Sequence, residues 1–408
     1  MTDTPNWLLA MNTQIKSNNF IASLIAVILI AIGFALLFAH TQSSAENHQD
    51  TQVSAEVATP DSVSTEAAAA PSATTQEDPL SEVALIHASH NLPQAETATK
   101  SEFDLLRESI DRSAEPSPRP ELIDLDGYDV YTNVSKDYLF WYFDQLGYTG
   151  EKIDSGETVA IPPVLVVNIR QGWSSDLTVQ YKKSIFYRVI LSLILFENEA
   201  VLREREALLS ILAARDANGG FSEEESQRLT KMARSYRLLK DEDNGPLDEQ
   251  QLQDLIRRVD IVPPSLALAQ AAHESGYATS RFAHTANALF GQWDWGENTV
   301  KPKQQRKGMG NYGIKSFEQP IDSVRSYIRN LNTHRAYAGF RDARATQRGD
   351  REGLIVLDSK SLADTLTSYS ERGTEYTEEL KGTISYNRLE RADKLRLMQG
   401  EPIYFQGG

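Results

Sequence analysis

The chain has 408 residues, which is enough for roughly two or three domains and a sizeable core. Its formal net charge is -16 and its pI is near 5.0, and this acidity argues against a nucleic-acid-binding protein, so we expect no nucleic-acid partner. The chain has no cysteine, which excludes disulfide frameworks, thiolate metal sites and cysteine nucleophiles.

An uncharged apolar segment near the beginning of the chain predicts a membrane anchor. Residues 20–39 read FIASLIAVILIAIGFALLFA, which is long enough to cross a bilayer as a helix. A cleaved signal peptide is the alternative, with the small residues 43–45 as its cleavage site. Lys16 before the segment and acidic residues after it favour a cytoplasmic N-terminal segment at residues 1–19, with the bulk of the chain on the other side.

The composition then changes twice before the region that carries the chemistry. Residues 40–121 are rich in Ala, Ser, Thr, Glu, Gln and Pro, so they cannot bury enough apolar surface to fold and are predicted to be a disordered linker. Residues 122–246 are predicted to be a helical accessory region. It contains an extended apolar segment at 161–169, a long helix that ends at Gly219 and a second, amphipathic helix after it.

The last ordered block is predicted at residues 247–398, where helical segments alternate with one Gly- and Lys-rich excursion. The fold class expected for the ordered part is therefore mainly α, with a minor β component (α+β). The ending EPIYFQGG, residues 401–408, resembles the scar of a protease site, so we assign residues 399–408 to a C-terminal tail outside the fold.

A glutamate stands out at the end of one predicted helix in this block. Pro264 opens the segment PSLALAQAAHES and Gly276 closes it, which places Glu274 in the last turn. The carbonyl end of a helix and apolar neighbours both disfavour a negative charge, so both raise the pKa of a carboxyl group. A surface glutamate at a helix end is the alternative. A protonated glutamic acid near neutral pH is what a glycosidase needs to protonate a leaving sugar oxygen.

The residues after this helix favour the glycosidase interpretation. The segment NALFGQWDW contains Asn287, Phe290, Trp293 and Trp295, and sugar faces stack on aromatic rings. Together, LAQAAHESGYATSRFA and NALFGQW resemble the core motif of the bacterial glucosaminidase family, whose members are peptidoglycan hydrolases. YGIKSFEQPIDSVRSYIRNLNTHRAYAGF and LADTLTSYSERGTEYTEELKGTI resemble the later motifs of that family, in the same order.

The resemblance implies a lysozyme-like helical catalytic domain with a small β-lobe at residues 247–398. The anchor, the linker and the accessory region make the chain most similar to the membrane-anchored Bax-type members. The resemblance further implies endo-β-N-acetylglucosaminidase activity on peptidoglycan glycan strands. A single-pass protein of a bacterial inner membrane is then expected, held there by the one N-terminal helix, with its catalytic domain in the periplasm. The sequence identifies no protein partner.

The family motif carries over to individual positions of this chain. Glu274 matches the general acid, and Tyr369 matches a tyrosine that family members place opposite the acid, near the acetamido group of the substrate. Asn287, Phe290, Trp293 and Trp295 are then expected to bind the sugars. Tyr369 stands in SYSERG, where Glu371 and Arg372 depart from the commoner family pattern, so their roles stay open.

The second catalytic group is not evident from the sequence. Asp294 and Glu297 are the candidates for a second carboxylate, and the acetamido group of the substrate itself is the alternative. Solvated loop acids would have the same sequence pattern. We expect no cofactor and no metal, because the histidines lack ligand spacing and no Gly-rich phosphate loop occurs. A lytic transglycosylase and an inactive wall-binding or scaffold protein are the alternative functions.

Overall fold

The computed structural model of the chain describes residues 114–125, 128–240, 242–243, 245–303 and 311–407. The predicted cytoplasmic segment and membrane anchor, and nearly all of the predicted linker, lie outside these residues. Across the described ranges, no helix combines the length and the apolar character that crossing a membrane requires.

Helices make up most of the described structure, as the sequence predicts. The α-helices are α1 Lys136–Gln145, α2 Gly150–Asp154, α3 Val179–Asn218, α4 Glu223–Ser235, α5 Glu249–Arg258, α6 Pro264–Ser275, α7 Arg281–Ala286, α8 Pro320–Thr333, α9 Ala338–Arg348, α10 Ser359–Ala363 and α11 Thr374–Tyr386. Short 3-10 helices occur at Arg335–Tyr337, Asp364–Leu366 and Leu389–Lys394.

The strands form three small sheets. Their bounds are β1 Glu121–Leu125, β2 Tyr128–Val134, β3 Ala160–Ile161, β4 Val164–Val166, β5 Trp293–Asp294, β6 Thr299–Val300, β7 Gly313–Lys315, β8 Arg396–Leu397 and β9 Ile403–Gly407. The largest sheet has the strand order β1-β2-β9-β4, and β3 pairs with β8. The third sheet, β5-β7-β6, is antiparallel and lies at the position of the predicted β-lobe. A mainly helical fold with a minor β component is confirmed.

The long helix α3 is a packed core helix, because its apolar middle is buried. Thr178 caps its first turn by accepting a hydrogen bond from the Tyr181 amide, and Gly219 ends it with a left-handed backbone conformation. Buried side chains follow its length from Tyr181 to Ile211, and they belong to two different core clusters. The helix therefore connects the main core to a smaller core formed with α4 and α5.

The prediction that residues 399–408 are a tail outside the fold is wrong for the described residues 403–407. Strand β9 lies between β2 and β4 and runs parallel to both, with Tyr404 opposite Val130 on one side and Leu165 on the other. Phe405 is buried in the main core. The sequence alone does not show this strand, because both of its partners are more than 200 residues away and no local pattern indicates such a pairing.

One core extends across the predicted boundary between residues 246 and 247. The main cluster includes Phe143, Ile161 and Leu193 from the accessory region together with Leu268 and Leu380 from the predicted catalytic block. The accessory region also begins with strands rather than helices. The two regions are therefore parts of one packed structure, because neither buries its apolar surface alone.

A buried ion cluster joins α3, α9 and the segment between α5 and α6. The Asp260 carboxylate accepts hydrogen bonds from Arg348 at 2.6 and 2.5 Å and lies 3.9 Å from both Arg205 and Arg344. Burial acts to raise the pKa of Asp260, but the surrounding arginines hold it below its ordinary value. Arg344 also donates to the carbonyls of Asp260, Ile261 and Arg257. The cluster thereby fixes the chain that enters α6.

We expect Asp260→Asn to lower the free energy of unfolding by about 3–5 kcal/mol, because it removes the negative charge that compensates buried arginines. Urea denaturation at pH 7 measures the change. Asp254→Asn is the matched control, since Asp254 pairs with Arg257 at a partly exposed site and should cost less than about 1 kcal/mol. Similar losses in the two variants would contradict a special role for the cluster.

Candidate active site

Helix α6 is buried on nearly every side, and this burial positions the site. Its small side chains allow the neighbouring helices to approach closely, and the residues from Pro264 to Ala272 are all buried. The backbone N–H and the hydroxyl of Ser265 donate to the buried Asp393 carboxylate at 2.8 and 2.6 Å. Asp393 thereby provides an acceptor for a first-turn N–H group that has no partner within the helix. Only His273 and Glu274 retain partial exposure, both in the last turn.

The Glu274 carboxylate is held by one hydroxyl group and confined by one glycine. The Tyr376 hydroxyl of α11 donates to Glu274 Oε1 at 2.9 Å. Gly291 has a positive φ of 57°, and a Cβ atom placed there would lie 2.9 Å from Glu274 Oε2. Glycine is therefore needed at position 291 for two reasons: the backbone conformation and the close approach of the carboxylate.

A directed chain of hydrogen bonds supports Tyr376 from the interior. The Tyr327 hydroxyl donates to Gln270 Oε1 at 2.7 Å, and Gln270 Nε2 donates to the Tyr376 oxygen at 3.1 Å. Because the Tyr376 oxygen accepts from Gln270, its own hydrogen points to Glu274. The three side chains thus fix both the position and the donor role of the group that contacts the carboxylate.

Burial among these side chains changes the acidity of Glu274. Desolvation raises the pKa of its carboxyl group to about 7, and the hydrogen bond from Tyr376 opposes part of that increase. The location at the C-terminal end of α6 acts in the same direction as desolvation. About half of these carboxyl groups are therefore protonated at neutral pH, which is suitable for a general acid.

Four tyrosines, Tyr327, Tyr337, Tyr369 and Tyr376, form what we call the tyrosine cluster. Tyr369 stacks on Tyr376 with ring centroids 5.8 Å apart and planes 2° from parallel, and it contacts Tyr337 at 5.8 Å. Burial raises the pKa of Tyr337 to about 12, and the Glu274 charge adds to the increase. Burial, and then the same charge, also raise the pKa of Tyr369. The structure thus brings Tyr369 into the electrostatic range of Glu274.

The turn after Glu274 has a strained backbone that the accessory region stabilises. Gly276, Tyr277 and Ala278 all have φ between 58° and 59°, which is unfavourable for the two residues with side chains. The Ala278 amide donates to Ser275 Oγ, and its carbonyl accepts from Trp173 Nε1 at 2.9 Å. Trp173, from the accessory region, therefore helps to hold the turn that follows α6.

The structure gives Asn287 and Phe290 packing roles. The Asn287 amide donates to the carbonyls of Phe317 and Glu318, and its oxygen accepts from the Ile169 amide at 3.4 Å. The Phe290 ring is 1% exposed and stacks on Tyr327, so it faces the core and not a ligand. Its carbonyl accepts the Tyr369 hydroxyl at 3.2 Å. The predicted sugar-stacking role of the Phe290 ring conflicts with this burial.

The remaining predicted residues lie on the β5-β7-β6 sheet and its loop. Trp293 stacks on Tyr312 with centroids 5.0 Å apart, whereas the Trp295 side chain is 60% exposed. Asp294 Oδ1 accepts the Gly296 amide of its own loop, and Glu297 is exposed. The sheet follows Gly291 directly in the chain. The roles of these four residues stay predictions.

Arg372, one of the two residues that depart from the family pattern beside Tyr369, belongs to a separate ion network. Arg372 pairs with Glu375 at 3.2 Å and with both carboxylate oxygens of Glu379. His273 lies between this network and the polar face of α11, with Nε2 2.7 Å from the Thr383 hydroxyl. His273 therefore has a hydrogen-bonding role at the back of Glu274.

Sequence reasoning missed Tyr376, Gln270 and Gly291. Tyr376 stands in TEYTEEL, which has the composition of a surface helix, so only its contacts show its role. Gln270 had a weak signal, because a buried amide in an alanine-rich helix needs polar partners. Gly291 lies within the quoted motif, and its requirement for glycine appears only when Glu274 is located beside it.

Comparisons with known proteins agree with the location of this site. Residues 249–389 match the glucosaminidase family model, described as mannosyl-glycoprotein endo-beta-N-acetylglucosaminidase. The chain is 32% identical over 197 residues to the protein bax of Escherichia coli (strain K12). This alignment covers 48% of the chain and 66% of the relative, slightly less than two thirds of its length. The predicted resemblance is confirmed: the chain carries a glucosaminidase-family domain.

A solved structure also aligns with part of the chain. It is the catalytic domain of the autolysin Auto from Listeria monocytogenes, at 16% identity and a TM-score of 0.25. The alignment covers 46% of this chain and 87% of that domain. A TM-score this low does not establish a common arrangement of elements.

We expect Glu274→Gln to stabilise the fold at pH 8 by about 2–3 kcal/mol. The folded pKa of about 7 lies above the ordinary value of 4.5, so ionising Glu274 costs the folded state stability as pH rises through this range. The loss of stability from ionised Glu274 is fully present above pH 7 and absent below about 4.5. The stabilisation by Glu274→Gln should therefore be present above pH 7 and absent below about 4.5. Urea denaturation at both pH extremes measures this gain, with Glu297→Gln, on an exposed loop, as the control. An equal effect at the two extremes would contradict the raised pKa.

Proposed function

Starting from a glucosaminidase-family domain at residues 249–389, we propose that the chain is a glycoside hydrolase that cleaves glycan strands of bacterial peptidoglycan. The proposed bond is the β-1,4 linkage after N-acetylglucosamine, and Glu274 is the proposed general acid. One observation carries the assignment: within the matched segment, a single carboxyl group has its pKa raised to about 7 and is held by a buried tyrosine.

The proposed step begins with a protonated Glu274. Its proton passes to the oxygen of the leaving sugar while the bond from the anomeric carbon to that oxygen breaks. A water molecule then completes the hydrolysis: its hydroxyl group adds to the anomeric carbon, and its remaining proton passes to a basic group, either a second carboxylate or the Glu274 carboxylate. Tyr376 keeps the carboxyl group oriented and stabilises the carboxylate that remains. The absence of a Cβ atom at Gly291 leaves room for Glu274 Oε2.

The second group has three candidates. An inverting enzyme needs a carboxylate roughly 6.5–9.5 Å from the acid to activate water, and Asp294 and Glu297 are the proposed choices. In the substrate-assisted alternative, the acetamido oxygen of the substrate attacks the anomeric carbon, and no second protein acid is needed. Tyr369 stacks on the tyrosine that holds Glu274, which supports a role beside the acetamido group.

The remaining proposals concern architecture and location. We propose that the matched domain is lysozyme-like, with β5, β6 and β7 as its small lobe and Trp293 and Trp295 as its sugar-stacking residues. We also propose that residues 20–39 anchor the chain in the inner membrane, with the catalytic part in the periplasm. The similarity to the protein bax supports the grouping with Bax-type proteins.

We expect Glu274→Gln to reduce cleavage of purified peptidoglycan by about 10²–10⁴-fold, because the amide cannot donate the proton. Turbidity clearing gives the rate, and mass spectrometry of the fragments identifies the ends. A reducing N-acetylglucosamine end is the expected product. Asp294→Asn and Glu297→Gln, assayed in parallel, identify the second acid if one of them shows a comparable loss. If neither does, the acetamido mechanism is supported.

Two results would overturn this proposal. An anhydromuramic end would instead identify a lytic transglycosylase, which also works with one acid. No cleavage by the parent protein, or equal cleavage by parent and Glu274→Gln, would contradict Glu274-dependent hydrolysis. A parent that binds peptidoglycan without cleaving it would be a wall-binding or scaffold protein.

We expect Tyr376→Phe to move the alkaline limb of kcat/KM to higher pH. The parent should lose activity as pH rises through about 7, because Glu274 ionises there. Removing the hydroxyl that stabilises the carboxylate raises the pKa of Glu274, so the acid stays protonated at higher pH.

The pH profile distinguishes this role from a structural one. Tyr386→Phe is the control, since Tyr386 is 57% exposed on the same helix. The alkaline limb of kcat/KM for this variant should lie at the same pH as that of the parent protein. A Tyr376→Phe variant that lost activity uniformly, with an unmoved limb, would show that Tyr376 acts only through packing.

A further inference from the structure

A second concave site lies beside the largest sheet and contains none of the catalytic residues proposed above. It is a pocket of about 720 Å³, a size that accommodates a small ligand. We call it the strand-side pocket. Its walls come from the end of β2, the segment after β4, α3, the turn and short helix after Glu274, and β9. Glu274, Gly291 and the tyrosine cluster do not line it.

The floor of the strand-side pocket is apolar. It is formed by aliphatic and aromatic side chains that are buried or nearly so: Val134, Leu139, Val166, Ile185, Phe186 and Phe405. A floor of this kind accommodates an aliphatic side chain or an alkyl group.

Two polar side chains, Asn168 and Arg170, belong to the segment after β4. The Asn168 side-chain oxygen lacks a hydrogen-bond donor, and the Arg170 guanidinium lacks an acidic partner within the described residues. Asn168 Oδ1 is buried against the pocket and accepts no hydrogen bond within the described residues. A buried acceptor without a partner costs stability until a donor binds it. Arg170 is exposed at the rim, and a Cβ atom placed on Gly407 would lie 3.7 Å from Arg170 Cδ.

Two basic side chains, Lys136 and Arg170, and two acidic ones, Asp137 and Asp176, line the pocket, and those of Asp137 and Arg170 are exposed. Lys136 lies 3.7 Å from Asp176, so its charge is partly matched. Arg170 has no acidic partner in the part of the chain that the structure describes. A guanidinium binds a carboxylate through two parallel hydrogen bonds, which makes a carboxylate the anion best suited to this position.

We propose that the strand-side pocket binds a short peptide with a free C-terminal carboxylate and an aliphatic side chain. The carboxylate pairs with Arg170, a peptide N–H donates to Asn168 Oδ1, and the aliphatic side chain covers the apolar floor. A fatty acid supplies a carboxylate and an alkyl chain but has no N–H group for Asn168. Peptides with free carboxylates also branch from cell-wall glycans, but the assignment does not depend on the proposed hydrolase activity.

Isothermal titration calorimetry on the full-length protein tests this site without any cleavage assay. The probe is alanyl-alanyl-valine with a free carboxylate, and its matched control is the same tripeptide with a C-terminal amide. We expect the acid to bind with a Kd between about 10 µM and 1 mM, and the amide to bind at least about tenfold more weakly. Decanoate, which lacks a donor, should bind more weakly than the peptide acid.

Three variants separate the contributions. Arg170→Gln should lower the affinity for the peptide acid to that for the peptide amide and leave the affinity for the amide unchanged. Asn168→Ala should lower the affinities for both peptides by the same factor. Arg335→Gln, at another exposed arginine, is the control and should leave both affinities unchanged. Circular dichroism confirms that each variant is folded. Failure of the acid to bind, equal binding of acid and amide, or equal binding of decanoate would overturn the proposal.

Discussion

The structure depends on one constraint, which is that α6 must be surrounded by other elements on almost all sides. The four alanines and the serine in the run LALAQAAHES let the neighbouring elements pack closely around this helix. α3, α11 and the 3-10 helix at Leu389–Lys394 all pack against it. The partly exposed end of the enclosed helix is where Glu274 lies. The position of the acid is therefore fixed by the packing of the whole core rather than by a loop.

The surroundings of Glu274 are polar without being charged. Burial above all, with the Glu274 charge as a further cause, keeps the pKa values of Tyr327, Tyr369 and Tyr376 well above the ordinary value, so these phenols stay neutral where the carboxyl group titrates. Neutral hydroxyls orient the carboxyl group, whereas a nearby cation would have lowered its pKa and a second carboxylate would have coupled to it. A site of this kind has a single protonation equilibrium to set.

Local signals in the sequence were sufficient for the parts of the site that lie on one helix. Pro264 and Gly276 delimit α6, and the position of Glu274 in its last turn follows from them. The burial of the Phe290 ring could not be predicted, because an aromatic residue beside a motif gives no indication of whether it faces the core. Tyr376 and Phe405 were missed because their roles depend on partners more than 100 residues away. Patterns of period two or 3.6 contain no information about such pairs.

The pairing of β9 has a consequence for the order in which the molecule is completed. Val130 in β2 and Tyr404 in β9 are neighbours in the sheet, although about 270 residues separate them. A ribosome synthesises these residues at roughly 5–20 per second, so β2 exists for many seconds before its parallel partner has been made. Throughout that interval β2 and β4 have no strand between them, and their unpaired edges are exposed to other chains. Protection of these edges during synthesis, by a chaperone or by rapid packing of α3, is therefore a requirement that the topology itself imposes.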